Sequence, residues 1–222
     1  MSRALVTVER LSLAFHSAGQ RVPVLNNLAF SVLPGVSLAF VGRSGSGKST
    51  LLNLLCGLQT PDEGVITIAG ESFGSDANAH SDARWTELRR RDIGVVFQQA
   101  NLMPALSLVD NVRLRRHLAG RSGGDERRWL ERLGVGSEAD RYPDRVSGGQ
   151  AQRAALATVF AMTPSLILAD EPTGSLDRNT ADEVADCLFA MQRETGCALV
   201  LATHDIELAG RCDNVFDLGT SA

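Results

Sequence analysis

Nine residues, Gly42-Arg43-Ser44-Gly45-Ser46-Gly47-Lys48-Ser49-Thr50, constrain this chain more than any other stretch. They follow the apolar run 36–41, which has the composition of a strand covered on both faces. They precede residues 50–58, where Leu51, Leu54, Leu55 and Leu58 recur at the spacing of one helix face. Strand, glycine-rich turn and helix in that order, with the spacing G-x-x-x-x-G-K-[ST], describe a phosphate-binding loop. The glycines let backbone N–H groups turn toward phosphate oxygens, and the following helix N-terminus adds partial positive charge. Lys48 is placed to reach the β- and γ-phosphates of a nucleoside triphosphate, and the Ser49 hydroxyl to ligate Mg²⁺. A plain strand-to-helix turn needs neither the lysine nor so many glycines.

Composition sharpens that expectation. The chain has 22 basic residues, and Lys48 is its one lysine; the other 21 are arginine. A coding bias accounts for missing lysines, but not for the survivor's place in a glycine-rich loop, where a compact ammonium differs from a planar guanidinium fork. With 222 residues, 44% hydrophobic and 22% charged, the chain is long enough to bury a substantial core. No stretch has the apolar length to span a bilayer, and the first ten residues lack a secretory h-region, so a cytosolic place is expected. Cys56, Cys187, Cys197 and Cys212 show no C-x-x-C spacing and are expected as buried thiols. A formal charge of -4 gives no global basic field, and no nucleic-acid partner is expected. The clusters Arg89-Arg90-Arg91 and Arg113, Arg115, Arg116 are expected as solvated faces or partner contacts.

Along the chain, Leu11, Leu13 and Phe15 alternate with small or polar residues, the period of a half-buried strand. A turn at Pro61-Asp62-Glu63-Gly64 leads to a strand over 65–69. Residues 81–163 are predicted mainly helical, with one early strand at 93–97. A loop containing Pro104, a helix from about Val109, a break at Ser122-Gly123-Gly124 and a helix through Trp129 and Leu133 follow. Further strands are predicted at 166–169, 197–202 and 215–218. Between the first two of these, a helix over 180–193 buries Val184, Leu188 and Met191 and ends near Gly196. The order predicts one α/β domain over 1–222, with a nucleotide-binding core from 1–98 and 159–222 and an inserted helical lobe at 99–158.

Two further segments carry chemistry. The apolar strand Leu166-Ile167-Leu168-Ala169 ends in Asp170-Glu171, and adjacent carboxylates at the end of a buried strand are costly unless something positive compensates them. Asp170 suits a Mg²⁺ shell and Glu171 a general base for an attacking water; either alone would also serve as an acidic cap. Ser147-Gly148-Gly149-Gln150 opens a helix-forming stretch, and fits either an anion-binding nest or an ordinary N-cap.

Taken together, these elements resemble the ATP-binding cassette of ABC transporters. Gly42 to Thr50 is similar to the Walker A loop, Leu166 to Glu171 to the Walker B strand with its catalytic glutamate, and Val146 to Gln150 to the signature motif. Gln98 after Val95-Val96-Phe97 resembles the Q-loop glutamine, Ser175-Leu176-Asp177 the D-loop, and His204 after Thr203 the switch histidine. The resemblance spans essentially the whole chain. It implies a P-loop NTPase (RecA-like) core with an inserted, mainly helical lobe and N-terminal antiparallel β elements. It also implies ATP and Mg²⁺, with Ser49, Gln98 and Asp170 toward the metal, and Glu171, Gln98 and His204 as catalytic residues. Arg43, Ser44, Gly45 and Ser46 join the other loop residues around the nucleotide, and Asp177 belongs to the same set. Ser147, Gly148, Gly149 and Gln150 would bind the γ-phosphate across a homodimer interface. Gln98 would couple to a separate transmembrane permease, with the loop from Asn101 to Leu106 as contact surface, at the cytoplasmic face of the inner membrane.

The strings 97–104, Tyr142-Pro143 and 169–177 resemble the lipoprotein-releasing, macrolide-exporting and cell-division group. Phe15 stands where the family places an adenine-stacking aromatic, although its alternation with Leu11 and Leu13 fits a core role equally; His16 is the poorer alternative. Thr158 stands where relatives commonly carry arginine, and little follows Leu218; both bear on stability or partner contact. Two rival functions are a soluble ABC ATPase acting on nucleic acid or ribosomes, and a nucleotide-binding regulator without turnover. The first would be expected to carry a coiled-coil insertion or a second cassette, and Glu171, Gln98 and His204 argue against the second.

Overall fold

The computed structural model describes residues 3–17, 20–75, 81–121 and 123–220. Ser122 of the glycine-rich break, and Met1 and Ser2 of the N-terminal stretch, lie outside them, as does the side chain of His16. In chain order the strands are β1 (Val6–Ser17), β2 (Gln20–Val32), β3 (Ser37–Val41), β4 (Glu63–Ile68), β5 (Glu71–Gly74), β6 (Ile93–Val96), β7 (Leu166–Asp170), β8 (Ala198–Ala202) and β9 (Asn214–Asp217). The helices are α1 (Lys48–Leu55), α2 (Ser81–Arg91), α3 (Leu108–Leu118), α4 (Glu126–Arg132), α5 (Gly148–Ala161), α6 (Arg178–Thr195) and α7 (Ile206–Ala209). Two compact units divide them, Met1–Arg89 with Ala198–Ala222, and Arg90–Cys197.

The first unit holds an antiparallel sheet in the order β2-β1-β4-β5. It also holds three parallel strands, with β3 between β8 and β9. All five residues of β3 and of β8 are buried, as their almost wholly apolar sequences require, Ser37 being the one polar residue. In β1, Leu11 and Leu13 face the core as expected, but Phe15 is 43% exposed and not a core residue. The pairing with β2 shifts register between Leu13 and Ala14, so Ala14 turns inward and the phase flips before Phe15. The same irregularity hides β2, whose buried residues Leu25, Leu28 and Val32 do not alternate.

Helix α1 begins at Lys48, two residues before Thr50, because Gly47 makes the turn in a left-handed conformation. It ends at Leu55, so Leu58 does not share its buried face and is 60% exposed. Trp85 of α2, stacked on Phe73 at 3.9 Å between ring centroids, closes over Gly57, where a Cβ would approach its indole to 2.1 Å. Arg89 donates to Cys56 O and Gly57 O at 2.9 and 3.2 Å, satisfying carbonyls just past the helix.

The arginine clusters are therefore not simply solvated. Arg115 donates to Ile93 O, and Arg116 donates to Ala161 O and approaches Glu126 at 3.6 Å, which ties α3 to its neighbours. The four cysteines are thiols, Cys56 and Cys197 buried and the other two half-buried. Burial pushes all of them above their ordinary value, Cys212 to about 12.

A reciprocal pair fastens β3 to the entry of β9. Ser37 N–H and O–H donate to the Asp213 carboxylate at 2.8 and 2.7 Å, and Asp213 N–H returns a bond to Ser37 Oγ at 2.9 Å. The Ser37 bonds hold the Asp213 carboxyl below its usual range. A depressed folded-state value contributes stability that is fully present above the unfolded value of about 3.9 and is lost as pH falls through the folded value. Asp213→Asn is thus expected to lower the thermal midpoint near neutral pH, with the gap to wild type closing below about pH 4. Thermal unfolding followed from pH 3 to 7 checks this.

In the second unit α5 packs against α3, α4 and α6 and against β6, which pairs in parallel with β7. Helix α6 starts at an Asp177 N-cap, stops at left-handed Gly196, and buries Val184, Leu188 and Met191. Strand β8 starts one residue after Cys197, and Leu218 opens a short 3-10 turn rather than ending β9.

Candidate functional site

The glycine-rich loop 42–47 leaves the C-terminal end of β3 and enters α1. Lys48 is 8% exposed, and its ammonium donates to Gly42 O at 2.8 Å and Arg43 O at 3.2 Å. The loop thereby holds its own cation in place. Gly47 sits at φ +92, where L side chains are disfavoured, and a Cβ there would meet Val24 Cγ1 and Leu25 Cδ2 at 3.0 Å. No side chain caps α1 at its N-terminus, so the turn presents backbone N–H groups. Arg43, Ser44, Gly45 and Ser49 are exposed, Thr50 half-buried, and the Ser46 hydroxyl buried beside Gly42.

Strand register brings other expected residues to the same edge of the first unit. β8 runs parallel to β3 with Ala202 beside Phe40, and Thr203 N donates to Phe40 O at 3.1 Å. The exposed His204 therefore follows β8 at the edge where Gly42 follows β3. Phe15 pairs with Val22, two positions along β2 from the Val24 that abuts Gly47. Its ring is exposed on the β1–β2 pair.

In the second unit β6 and β7 run parallel with Val96 beside Ala169, so Gln98 and the Asp170-Glu171 pair emerge from one edge. Ligands of open α/β sheets bind outside such carboxyl ends. Asp170 and Glu171 are half-buried, and Glu171 adopts φ +45, a left-handed conformation rare for a side-chain-bearing residue. The turn that follows is closed by Gly174 N donating to Glu171 O at 3.0 Å. Asp177, exposed, caps α6 through Thr180 N at 3.2 Å and accepts from the Thr180 hydroxyl at 2.7 Å, which keeps its carboxyl below the usual range.

Ser147 caps α5 in a capping box: Gln150 N donates to Ser147 Oγ at 3.2 Å, and Ser147 N to Gln150 Oε1 at 2.9 Å. That bond uses the serine oxygen as acceptor and leaves its O–H able to donate. Gly148 is exposed at the helix start, and Gly149 is buried where a Cβ would press on Thr180 Cγ2 at 2.2 Å.

Two polar residues escaped sequence reasoning. Asn111, 5% exposed, accepts from Met103 N at 2.7 Å and donates to the carbonyls of Met103, Leu106 and Ser107 at 2.9–3.2 Å, setting the shape of the Pro104 loop. Gln152, 2% exposed, donates to Phe97 O at 2.8 Å and Pro172 O at 2.9 Å. Its one legible signal is a polar residue in line with the buried stripe Leu156, Val159, Phe160 of α5.

Among the described residues no cluster of three or more His, Cys, Asp or Glu could hold a metal. Mg²⁺ fits such a site, being held by one or two protein oxygens with substrate phosphates and water completing its shell. No described helix is long and apolar enough to cross a membrane.

Residues 25–174 match the family model described as ABC transporter. The uncharacterized ABC transporter ATP-binding protein YbbA of Escherichia coli K12 is 40% identical over 218 residues, 96% of this chain and 94% of that one. The lipoprotein-releasing system ATP-binding protein LolD of Bordetella pertussis Tohama I is 40% identical over 209 residues, 92% of this chain and 89% of that one. Among solved structures, the ATP-binding cassette MJ0796, a dimer in a post-hydrolysis state bound to ADP and Pi, superposes with a TM-score of 0.85 at 31% identity, covering 97% of this chain and 95% of that one. The cbiO1 protein of Clostridium perfringens, part of the ABC transporter complex cbiONQ, gives 0.78 at 29% identity, with 98% and 86% covered.

Proposed function

Because this chain belongs to the ABC transporter family as an ATP-binding cassette, we propose that it hydrolyses MgATP between two copies of itself and drives a separate transmembrane permease. The observation that carries the proposal is Lys48, the chain's one lysine, buried and held by the carbonyls of its own glycine-rich loop.

In this account the loop 42–50 wraps the triphosphate with backbone N–H groups, Lys48 neutralises the β- and γ-phosphates, and Phe15 stacks on adenine. Ser49, Asp170 and Gln98 would hold Mg²⁺, which when bound neutralises phosphate charge. Glu171 accepts the proton of the attacking water, and His204 donates to the γ-phosphate. Ser147 and the Gly148-Gly149 backbone of the second copy close on the same phosphate, with Gln150 holding Ser147 and Asp177 shaping the facing loop. Nucleotide then favours the closed pair over the open one, and hydrolysis removes that preference. The dimeric MJ0796 cassette and the place of cbiO1 in a transporter complex support this reading.

The permease would dock on the loop 101–106, whose Met103 is 54% exposed, at the cytoplasmic face of the inner membrane. Kinship to LolD, the ATP-binding protein of a lipoprotein-releasing system, supports a transport role for this cassette. Phosphate release from MgATP by the purified chain tests the hydrolytic role. A chain that binds ATP without releasing phosphate, even with its permease, would instead be a regulator. Asn111→Ala leaves loop groups unpaired and is expected to cost about 1–3 kcal/mol of stability and to weaken permease capture, while hydrolysis by the isolated chain persists. Chemical denaturation and co-purification with the permease measure the two effects.

A further inference from the structure

Gln152 belongs to none of the roles above, yet it ties together the backbone that carries two of them. It lies in the second turn of α5, the helix begun by Ser147, and both hydrogens of its carboxamide nitrogen are engaged, with Phe97 O at 2.8 Å and Pro172 O at 2.9 Å. Phe97 immediately precedes Gln98, and Pro172 immediately follows Glu171. A second tie reinforces the first: the Ser175 hydroxyl donates to Gln98 O at 2.9 Å. Two consecutive carbonyls are thus gripped, one from α5 and one from the turn after Glu171. The strand edge offers no helical or sheet partner to Phe97 O or Pro172 O, since β6 ends at Val96 and β7 at Asp170.

We propose that Gln152, assisted by Ser175, is a positioning residue for hydrolysis that locks the peptide before Gln98 to the peptide after Pro172, one residue beyond Glu171, and fastens both to the helix headed by Ser147. Displacement of α5 when phosphate engages Ser147 then reaches both side chains through hydrogen-bonded backbone. The left-handed Glu171 makes this grip matter, because a small rotation there re-aims the carboxylate. This rests on the hydrolytic role proposed above, and the two can fail separately.

The test compares the full chain with Gln152→Met, which keeps the length of the side chain but removes both donors, with Ser175→Ala, and with Gln192→Met as a control. Gln192 is as deeply buried, at 3% exposure, and donates to Cys197 O at 2.9 Å, away from the acting residues. Rates are counted per nucleotide-binding molecule. Gln152→Met is expected to lower kcat by about 10–100-fold, the scale of a catalytic group displaced by about 1 Å, with KM for ATP nearly unchanged. Ser175→Ala, at an exposed hydroxyl whose loss does not threaten folding, is expected to lower kcat in the same direction by a smaller factor. Gln192→Met is expected to lower the thermal midpoint and leave kcat near wild type. A Gln152→Met protein with the profile of the Gln192→Met control overturns the proposal. If Gln152→Met does not fold, Ser175→Ala decides, and unaltered kcat there overturns it. Absence of hydrolysis in the wild type strikes the hydrolytic role itself.

Discussion

Glu171→Gln is expected to lower steady-state ATP turnover by about 10²–10⁴-fold, the range for losing a general base, while ATP binding persists. The side chain follows a strand whose four apolar residues are fully buried, so its backbone has little freedom to drift. It also sits in a left-handed conformation costing about 1–2 kcal/mol, which the following turn keeps in place. Glutamine shares the shape and the same backbone strain, so the substitution removes the proton acceptor and little else. Phosphate release and binding of a fluorescent ATP analogue, measured on one preparation, read the two quantities. Hydrolysis at the wild-type rate would remove Glu171 from the mechanism.

Lys48→Arg should weaken ATP binding by roughly 10- to 150-fold, the equivalent of a lost charge-assisted hydrogen bond at about 1.5–3 kcal/mol. Elsewhere this chain uses arginine for every basic position, so the change looks conservative in its own composition. At this site it is not. The ammonium fits within reach of two loop carbonyls in a nearly closed environment, where a wide planar fork cannot take the same two acceptors without displacing the loop. Displacement is resisted because Gly47 already lies against Val24 and Leu25. Equilibrium ATP binding checks the figure, and an affinity equal to wild type would mean that the loop does not depend on a point charge.

How far the sequence reveals this molecule depends on which force shapes each segment. Strands buried on both faces, β3, β7 and β8, read directly as apolar runs because nothing else satisfies their surroundings. The loop 42–50, the carboxylates at the end of β7 and Ser147 at the head of α5 were legible as fixed residue types at fixed spacing. β2 was not, since its register shifts and left-handed Asn27 break the period-two pattern that marks a strand. The same bulging put Phe15 on the surface against the phase of Leu11 and Leu13. Leu58 misled in another way: its spacing suits the α1 face, but Gly57 ends the helix first. Gln152 acts through carbonyls 55 and 20 residues away and Asn111 through loop carbonyls within eight residues, and such acceptors have no residue signature.

Two copies sharing the nucleotide is the claim on which the rest stands, and sedimentation of the Glu171→Gln protein tests it most directly. With ATP and Mg²⁺ the protein should sediment as a dimer, and with ADP as a monomer. A monomer that is saturated with ATP would contradict the account.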